Sequence, residues 1–340
     1  VLVQYGKKFP IANPFQSVIT QEPLQVRPYQ LMHIVSKIGA GHDTDLGEAR
    51  LTEILAVVRA NPAVPVTLRS NVTGEYAWQN PGPGEDTPEG PLFNARRDLR
   101  ILQRLGLAPG DTRPALDLFS RLLETIETAE GILWFREATS EAWQGESRES
   151  CRYEAGRAKG LRAIIPGRTD EEMARVKTES VAAMREADML EIRPHHLMCM
   201  ACFHQGKKEL APIDEDNLCE AIEIIHANPD IPVKLICGPC MICPPCPHLL
   251  VEHNQCVGRG SMALRDELKD LDVLQKLGLR YGDVVPAREL YRRLFACVHS
   301  TKEICGHDDG VERSPEWRVC GGPDGDARYA RAREAGLGFL

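Results

Sequence analysis

The chain has 340 residues, 43% apolar and 26% charged, enough to bury a sizeable core and, by length, to form two domains. A net charge of -8 at pH 7, with no basic stripe interleaved with aromatics, argues against a nucleic-acid partner, whose affinity is drawn mainly from clustered Lys and Arg. No apolar run approaches the roughly 20 residues that span a bilayer, and the opening residues lack the layout of a signal peptide, so no membrane attachment and a cytoplasmic location are expected.

Taken in chain order, Pro28 suits the first turn of a helix, and residues 46 to 60 show helical apolar spacing that stops at Asn61-Pro62. A β-rich run, Val64 to Leu68, precedes a long loop from Ser70 to Pro91, and helices are predicted over 94 to 106 and 113 to 127. Thr169-Asp170-Glu171-Glu172 opens a helix to about residue 187. The pattern then repeats: Pro194 opens a helix, 214 to 227 is helical and stops at Asn228-Pro229, Ile231 to Ile236 is β-rich, and helices follow over 261 to 277 and 286 to 298. Cys320 to Asp326 reads as a glycine-rich turn before a final helix.

The repetition extends to residue identity. Arg27-Pro28-Tyr29-Gln30-Leu31-Met32-His33 matches Arg193-Pro194-His195-His196-Leu197-Met198-Cys199, and Ala60-Asn61-Pro62 with Pro65-Val66 matches Ala227-Asn228-Pro229 with Pro232-Val233. Leu102-Gln103-Arg104-Leu105-Gly106-Leu107 matches Leu274-Gln275-Lys276-Leu277-Gly278-Leu279, and Gly110-Asp111, Tyr153 and Gly160-Leu161 find Gly282-Asp283, Tyr329 and Gly336-Leu337 in the same order. Collinear blocks of this kind mark a duplication. The expected architecture is mainly α, or α+β with one short strand per copy, as a tandem pseudo-symmetric duplication: a first copy over 1–165, a linker helix over 166–190, and a cysteine-rich second copy over 191–340. The first copy has no cysteine array and is expected to be a structural partner that packs on the second or covers its site.

Of twelve cysteines, only Cys151 precedes residue 198. Such crowding favours reduced thiols holding metal over a disulfide scaffold. Cys237, Cys240, Cys243 and Cys246 recur at every third position among Gly and Pro, and Cys256 follows, so a short loop can turn several sulfurs toward one centre. With Cys297, Cys305 and Cys320 the second copy has thiolates for one or two 4Fe-4S clusters, although the spacing differs from the ferredoxin run, and a zinc knuckle is the alternative. On a helix from Pro194, His195, Cys199 and Cys202 share a face, with His196 three residues before Cys199. The histidines offer a metal ligand or a proton donor, while Cys202 and Cys219 are more simply core. Thiol catalysis by Cys199 lacks a recognisable third group. Neither a P-loop, a dinucleotide fingerprint nor a His-Glu-x-x-His helix is present.

The second copy resembles an uncharacterised family of small cysteine-rich bacterial and archaeal domains. The resemblance lies in Arg193 to Cys199, Ile242-Cys243-Pro244-Pro245-Cys246-Pro247 with Cys256, Val273 to Leu279, Ile304-Cys305-Gly306, Trp317, Cys320 and Gly336-Leu337. It implies Cys199, Cys243, Cys246, Cys256, Cys305 and Cys320 as ligands of an iron–sulfur centre. Cys237 and Cys240 are extra, and His307 and Asp308 stand where the family often has another Cys. The functional expectation is an iron–sulfur enzyme, redox or Lewis-acid, acting on a small-molecule substrate, with His195 or His196 moving protons and Arg193 holding an anionic group. The alternatives are an electron carrier with closed clusters and a redox partner protein, or a zinc-stapled interaction protein.

Overall fold

The computed structural model describes residues 22–72, 79–137, 143–206, 211–251, 254–256, 264–305 and 326–340. The chain divides into two compact units, with the boundary at Gly167 and Arg168. Both are mainly helical, as the apolar spacing predicts. Among the described residues no helix is long and apolar enough to cross a membrane.

In the first unit, β1 (Leu24–Val26) leads into α1 (Pro28–Gly39), followed by α2 (Ala49–Ala60), β2 (Pro65–Leu68), α3 (Pro91–Leu105), β3 (Thr112–Pro114), α4 (Ala115–Thr125) and α5 (Tyr153–Lys159). The second contains α6 (Asp170–Arg185), β4 (Leu190–Ile192), α7 (His196–Gly206), α8 (Leu218–Ala227), β5 (Pro232–Leu235), the hairpin β6 (Leu249–Leu250) and β7 (Gln255–Cys256), α9 (Leu264–Leu277), β8 (Val284–Pro286), α10 (Ala287–Cys297) and α11 (Asp326–Ala335). Where sequence gives one strand per copy, the described residues hold three in the first unit and five in the second: β2 and β5 are each the centre of a small mixed sheet, β1-β2-β3 and β4-β5-β8, and β6 with β7 form the hairpin. The flanking strands are three residues long, too short to show a period of two, and each third strand ends on a proline, Pro114 or Pro286.

The duplication holds at the level of individual hydrogen bonds. Leu24, Gln25 and Val26 pair in parallel with Val66, Thr67 and Leu68, as Leu190, Glu191 and Ile192 pair with Val233, Lys234 and Leu235. The antiparallel partners also repeat, Pro65 with Pro114 and Pro232 with Pro286. Gly110 N–H donates to Leu68 O and Gly282 N–H to Leu235 O, each at 2.7 Å. The buried hydroxyls of Tyr153 and Tyr329 close the equivalent helices onto Ile126 O and Val298 O.

Each core is laid down by the inward faces of these elements. In the second unit Leu197, Met200, Phe203, Ile222, Val233, Leu235, Leu290 and Tyr291 are buried together. Cys202 and Cys219 belong to this core, as their apolar neighbours predict. Helix α6 falls inside the second unit: Lys177 on it pairs with Glu220 at 2.6 Å, and Ser180 accepts from Asn217 Nδ2 at 2.9 Å. Its N-cap is the predicted one, Thr169 accepting from Glu172 N–H, with Asp170, Glu171 and Glu172 against the positive end of the helix.

In the first unit α1 crosses α5 so closely that a Cβ on Gly156 would stand 1.9 Å from Val35 O, and one on Gly39 would stand 2.0 Å from Arg152 O. Both obstacles are backbone, which cannot swing aside. The Gly156→Ala variant should therefore separate the two helices at a cost of about 1–3 kcal/mol. Hydrogen–deuterium exchange over residues 28–39 checks this: faster exchange there with the second unit unchanged is expected, and unchanged protection would contradict the close crossing.

Candidate metal centre

The second unit is organised around a buried carboxylate on α9. Asp270 is fully buried and accepts from Arg193 Nε at 2.9 Å, Arg193 Nη2 at 2.7 Å, the His195 backbone N–H at 2.9 Å and His195 Nδ1 at 2.8 Å. Arg193 and His195 lie where β4 turns into α7, so this one side chain fixes the turn that aims the next residue, His196. An Arg-Pro pair suits such a turn, because the proline starts the helix without needing an amide donor and leaves the neighbouring N–H for the carboxylate.

His196 Nδ1 lies 3.2 Å from Cys240 Sγ, and Cys240 Sγ lies 3.9 Å from Cys243 Sγ. The three ligand atoms are within 4.8 Å of one another, and Cys240 is 6% exposed. The thiol loop wraps its own backbone around these sulfurs. Ile242 N–H donates to Cys240 Sγ and His248 N–H to Cys246 Sγ, both at 3.4 Å, and successive turns run from Cys243 N–H to Cys240 O and from Cys246 N–H to Cys243 O. Gly238, at φ +80°, makes the turn that opens the run.

Side chains that the sequence did not single out hold this loop. Asn217 donates from its backbone to Ile242 O and from Nδ2 to Met241 O. Met241 N–H donates to Glu191 O on β4, and Arg168 Nη1 donates to Pro244 O and Cys246 O. The β6–β7 hairpin sets Cys256 opposite Leu249. There its thiol adds to burial and to Cys243 in pushing the Cys246 thiol far above the ordinary range.

The electrostatics suit neutral imidazole and anionic sulfur. Burial drives the His195 pKa down to about 4 despite Asp270, and that of His196 to about 3 with Arg193 adding to the effect, so both rings are neutral at pH 7. Cys240 resists the upward push of burial because Cys243 and the backbones of Arg193 and Ile242 hydrogen-bond it, and its pKa falls below the ordinary value. Cys243, hydrogen-bonded to that thiolate and buried beside it, is raised. The pair thus shares a proton that a cation would displace.

The other predicted residues are placed as follows. Arg193, expected to hold an anionic substrate, is 3% exposed and committed to Asp270; its charge acts on Cys243. His195 is likewise bound to Asp270 and stacks edge-on against His196, ring centroids 4.6 Å apart. Lys269 is a buried ammonium that stays charged against the pull of burial because Asp266 lies 2.9 Å away, with Cys305 and Cys199 adding to the upward shift of its pKa. Cys237 is exposed beside Tyr281 and Glu267, and Cys297 is exposed at the end of α10; neither belongs to the His196, Cys240 and Cys243 group. Cys320, His307, Asp308 and Trp317 lie outside the described residues.

The first unit shows the same scaffold with other chemistry. Asp98 accepts from Arg27 Nε at 2.9 Å and from Tyr29 N–H at 3.0 Å, repeating Asp270 with Arg193 and His195. Tyr29 replaces the imidazole, and burial pushes the Asp98 carboxyl up to about 6, whereas Asp270, with His195 and Arg193 on it, stays below the ordinary range despite its own burial. Gln30, in the place of His196, donates to Glu85 Oε2 at 2.7 Å, and Asp86 pairs with Arg27. His33, in the place of Cys199, pairs with Glu146 at 2.8 Å. Carboxylates thus occupy in the first unit the role that thiols play in the second.

No family model, curated protein or solved structure matches the chain.

Asp270 touches none of the three clustered ligand atoms, yet it orients His196 and fixes the charge beside Cys243. The Asp270→Asn variant should bind metal about 10- to 100-fold more weakly, as loss of an orienting partner does at other metal sites. Chelator competition measures this; Cys243→Ser should abolish stoichiometric binding and His33→Ala should leave it unchanged. Equal binding by the wild type and Asp270→Asn would contradict the orienting role.

Proposed function

We propose that the second unit is a metal-binding module whose ion is held by His196, Cys240 and Cys243, with Cys246 as the fourth ligand. The observation that carries this reading is the convergence of one imidazole nitrogen and two sulfurs within 4.8 Å, on a loop whose own amides donate to the sulfurs. Two thiolates on one tetrahedral zinc, with bonds of about 2.3 Å, stand about 3.8 Å apart. The 3.9 Å between Cys240 and Cys243 fits that spacing, and thiolates bound to separate irons of a cluster would stand wider. A single borderline-soft ion, zinc first, is therefore favoured over the 4Fe-4S cluster expected from thiol number. Such an ion would staple the 237–256 loop to the start of α7 and contribute its binding energy to the fold.

A second reading rests on a different observation. Cys246 is influenced by both Cys243 and Cys256, so further thiols are at hand for an iron–sulfur centre. In that reading His195, neutral and oriented by Asp270, is the group that moves protons for a small-molecule substrate.

Metal and acid-labile sulfide per chain, measured on protein purified without oxygen, separate the readings. One zinc and no sulfide is expected. Four or eight irons with matching sulfide would replace the single-ion centre by clusters, and metal-free protein with a native fold would overturn both.

A further inference from the structure

The first unit carries an exposed face that its missing thiols do not explain. Along α3, Leu92, Arg96, Leu99, Arg100, Gln103 and Arg104 are all exposed and recur at helical spacing, so they form one stripe. Leu92 is 73% and Leu99 42% exposed. Beside them runs an open groove of about 700 Å³ lined by Arg96, Leu99, Arg100, Gln103, Leu107 and Pro109, with no acidic residue. Arg96 lies over the Phe135 ring at 4.3 Å, which extends the stripe by an aromatic ledge. None of Arg96, Arg100 and Arg104 makes an ion pair among the described residues.

The duplication shows that the scaffold does not require this character. Asp98 on α3 and Asp270 on α9 hold the same place, so Leu268, Leu271 and Asp272 are the counterparts of Arg96, Leu99 and Arg100. The exposed leucine is kept, but the positive charges of Arg96 and Arg100 are lost, and Lys276, the counterpart of Arg104, is paired with Glu303 at 2.5 Å. Among the described residues, this run of arginines without an ion pair is thus a feature of α3 that its sister helix α9 does not share, in a chain of net charge -8.

We propose that this face of α3 is a docking surface for an acidic amphipathic helix of a partner protein. The partner's leucine-type side chains enter the groove between Leu99 and Leu107, and its flanking carboxylates meet Arg96, Arg100 and Arg104. Arginine suits the role, since its planar donors pair carboxylates in a fork and its stem covers apolar surface. The exposed leucines favour a protein over a nucleic acid, which would leave them in water.

The test uses the full-length chain and a labelled synthetic helical peptide with Leu at i, i+4 and i+7 flanked by Glu, against a peptide of the same composition with the leucines scrambled. Fluorescence anisotropy should show saturable binding of the first peptide only. The double variant Arg96→Leu, Arg100→Asp installs side chains that the sister helix already carries at these positions, so the fold is retained, as circular dichroism should record. It should weaken binding about tenfold, and raising the salt should weaken wild-type binding as well. Equal binding of the scrambled peptide, no loss in the double variant, or tighter binding to phosphatidylserine vesicles or single-stranded DNA would each overturn the proposal. Metal content of the second unit should be the same in all these proteins.

Discussion

One buried carboxylate, Asp270, sets the geometry of the second unit. An isolated anion at a fully buried position would be far too costly, so it is kept only by what surrounds it: the Arg193 guanidinium, the His195 amide and the His195 ring. Those donors all come from the turn between β4 and α7. The constraint works in both directions, since the carboxylate needs the turn and the turn is fixed by the carboxylate. From it follow the start of α7, the position of His196 at the thiol loop, and the placing of a permanent positive charge beside Cys243.

The first unit isolates what belongs to the scaffold and what belongs to the site. Asp98, Arg27 and the Tyr29 amide repeat the buried ion pair with nearly the same distances, so that pair is the common structural element. What differs is the next layer. Gln30 with Glu85, and Arg27 with Asp86, form ordinary polar contacts where the second unit sets His196 against Cys240. A loop held by carboxylates and amides needs no ion. The thiol loop, rich in Gly and Pro, turns its own amides onto its sulfurs, its carbonyls are gripped from outside by Asn217 and Arg168, and a metal would complete it.

Much of this was legible in the sequence, and the remainder was hidden for identifiable reasons. The long helices carry a clear period and stop at Asn-Pro or Gly, so 46 to 60 and 261 to 277 fall close to α2 and α9. The duplication was readable because Gly, Pro and Leu recur in order. Strands of three residues such as β1 and β4 offer no periodicity, and only pairing with a neighbour defines them. The thiol run led to the expectation of a metal, but it does not tell which sulfurs converge: Cys240 and Cys243 do so with His196, while Cys237 at the same spacing is exposed. Asp270 was missed although a signal existed, since Asp98 and Asp270 each precede the matched Leu-Gln-x-Leu-Gly-Leu block by four residues. Arg193 looked like an anion holder because a lone arginine gives no sign of the carboxylate that will take it 77 residues later.

Whether His196, Cys240 and Cys243 share one ion is measured most directly by X-ray absorption at the metal edge of the loaded full-length protein. The geometry predicts a first shell of sulfur at about 2.3 Å with one imidazole nitrogen at about 2.0–2.1 Å and no metal–metal scattering. An iron–iron vector, or a shell of oxygen without sulfur, would show that His196, Cys240 and Cys243 do not meet on one ion.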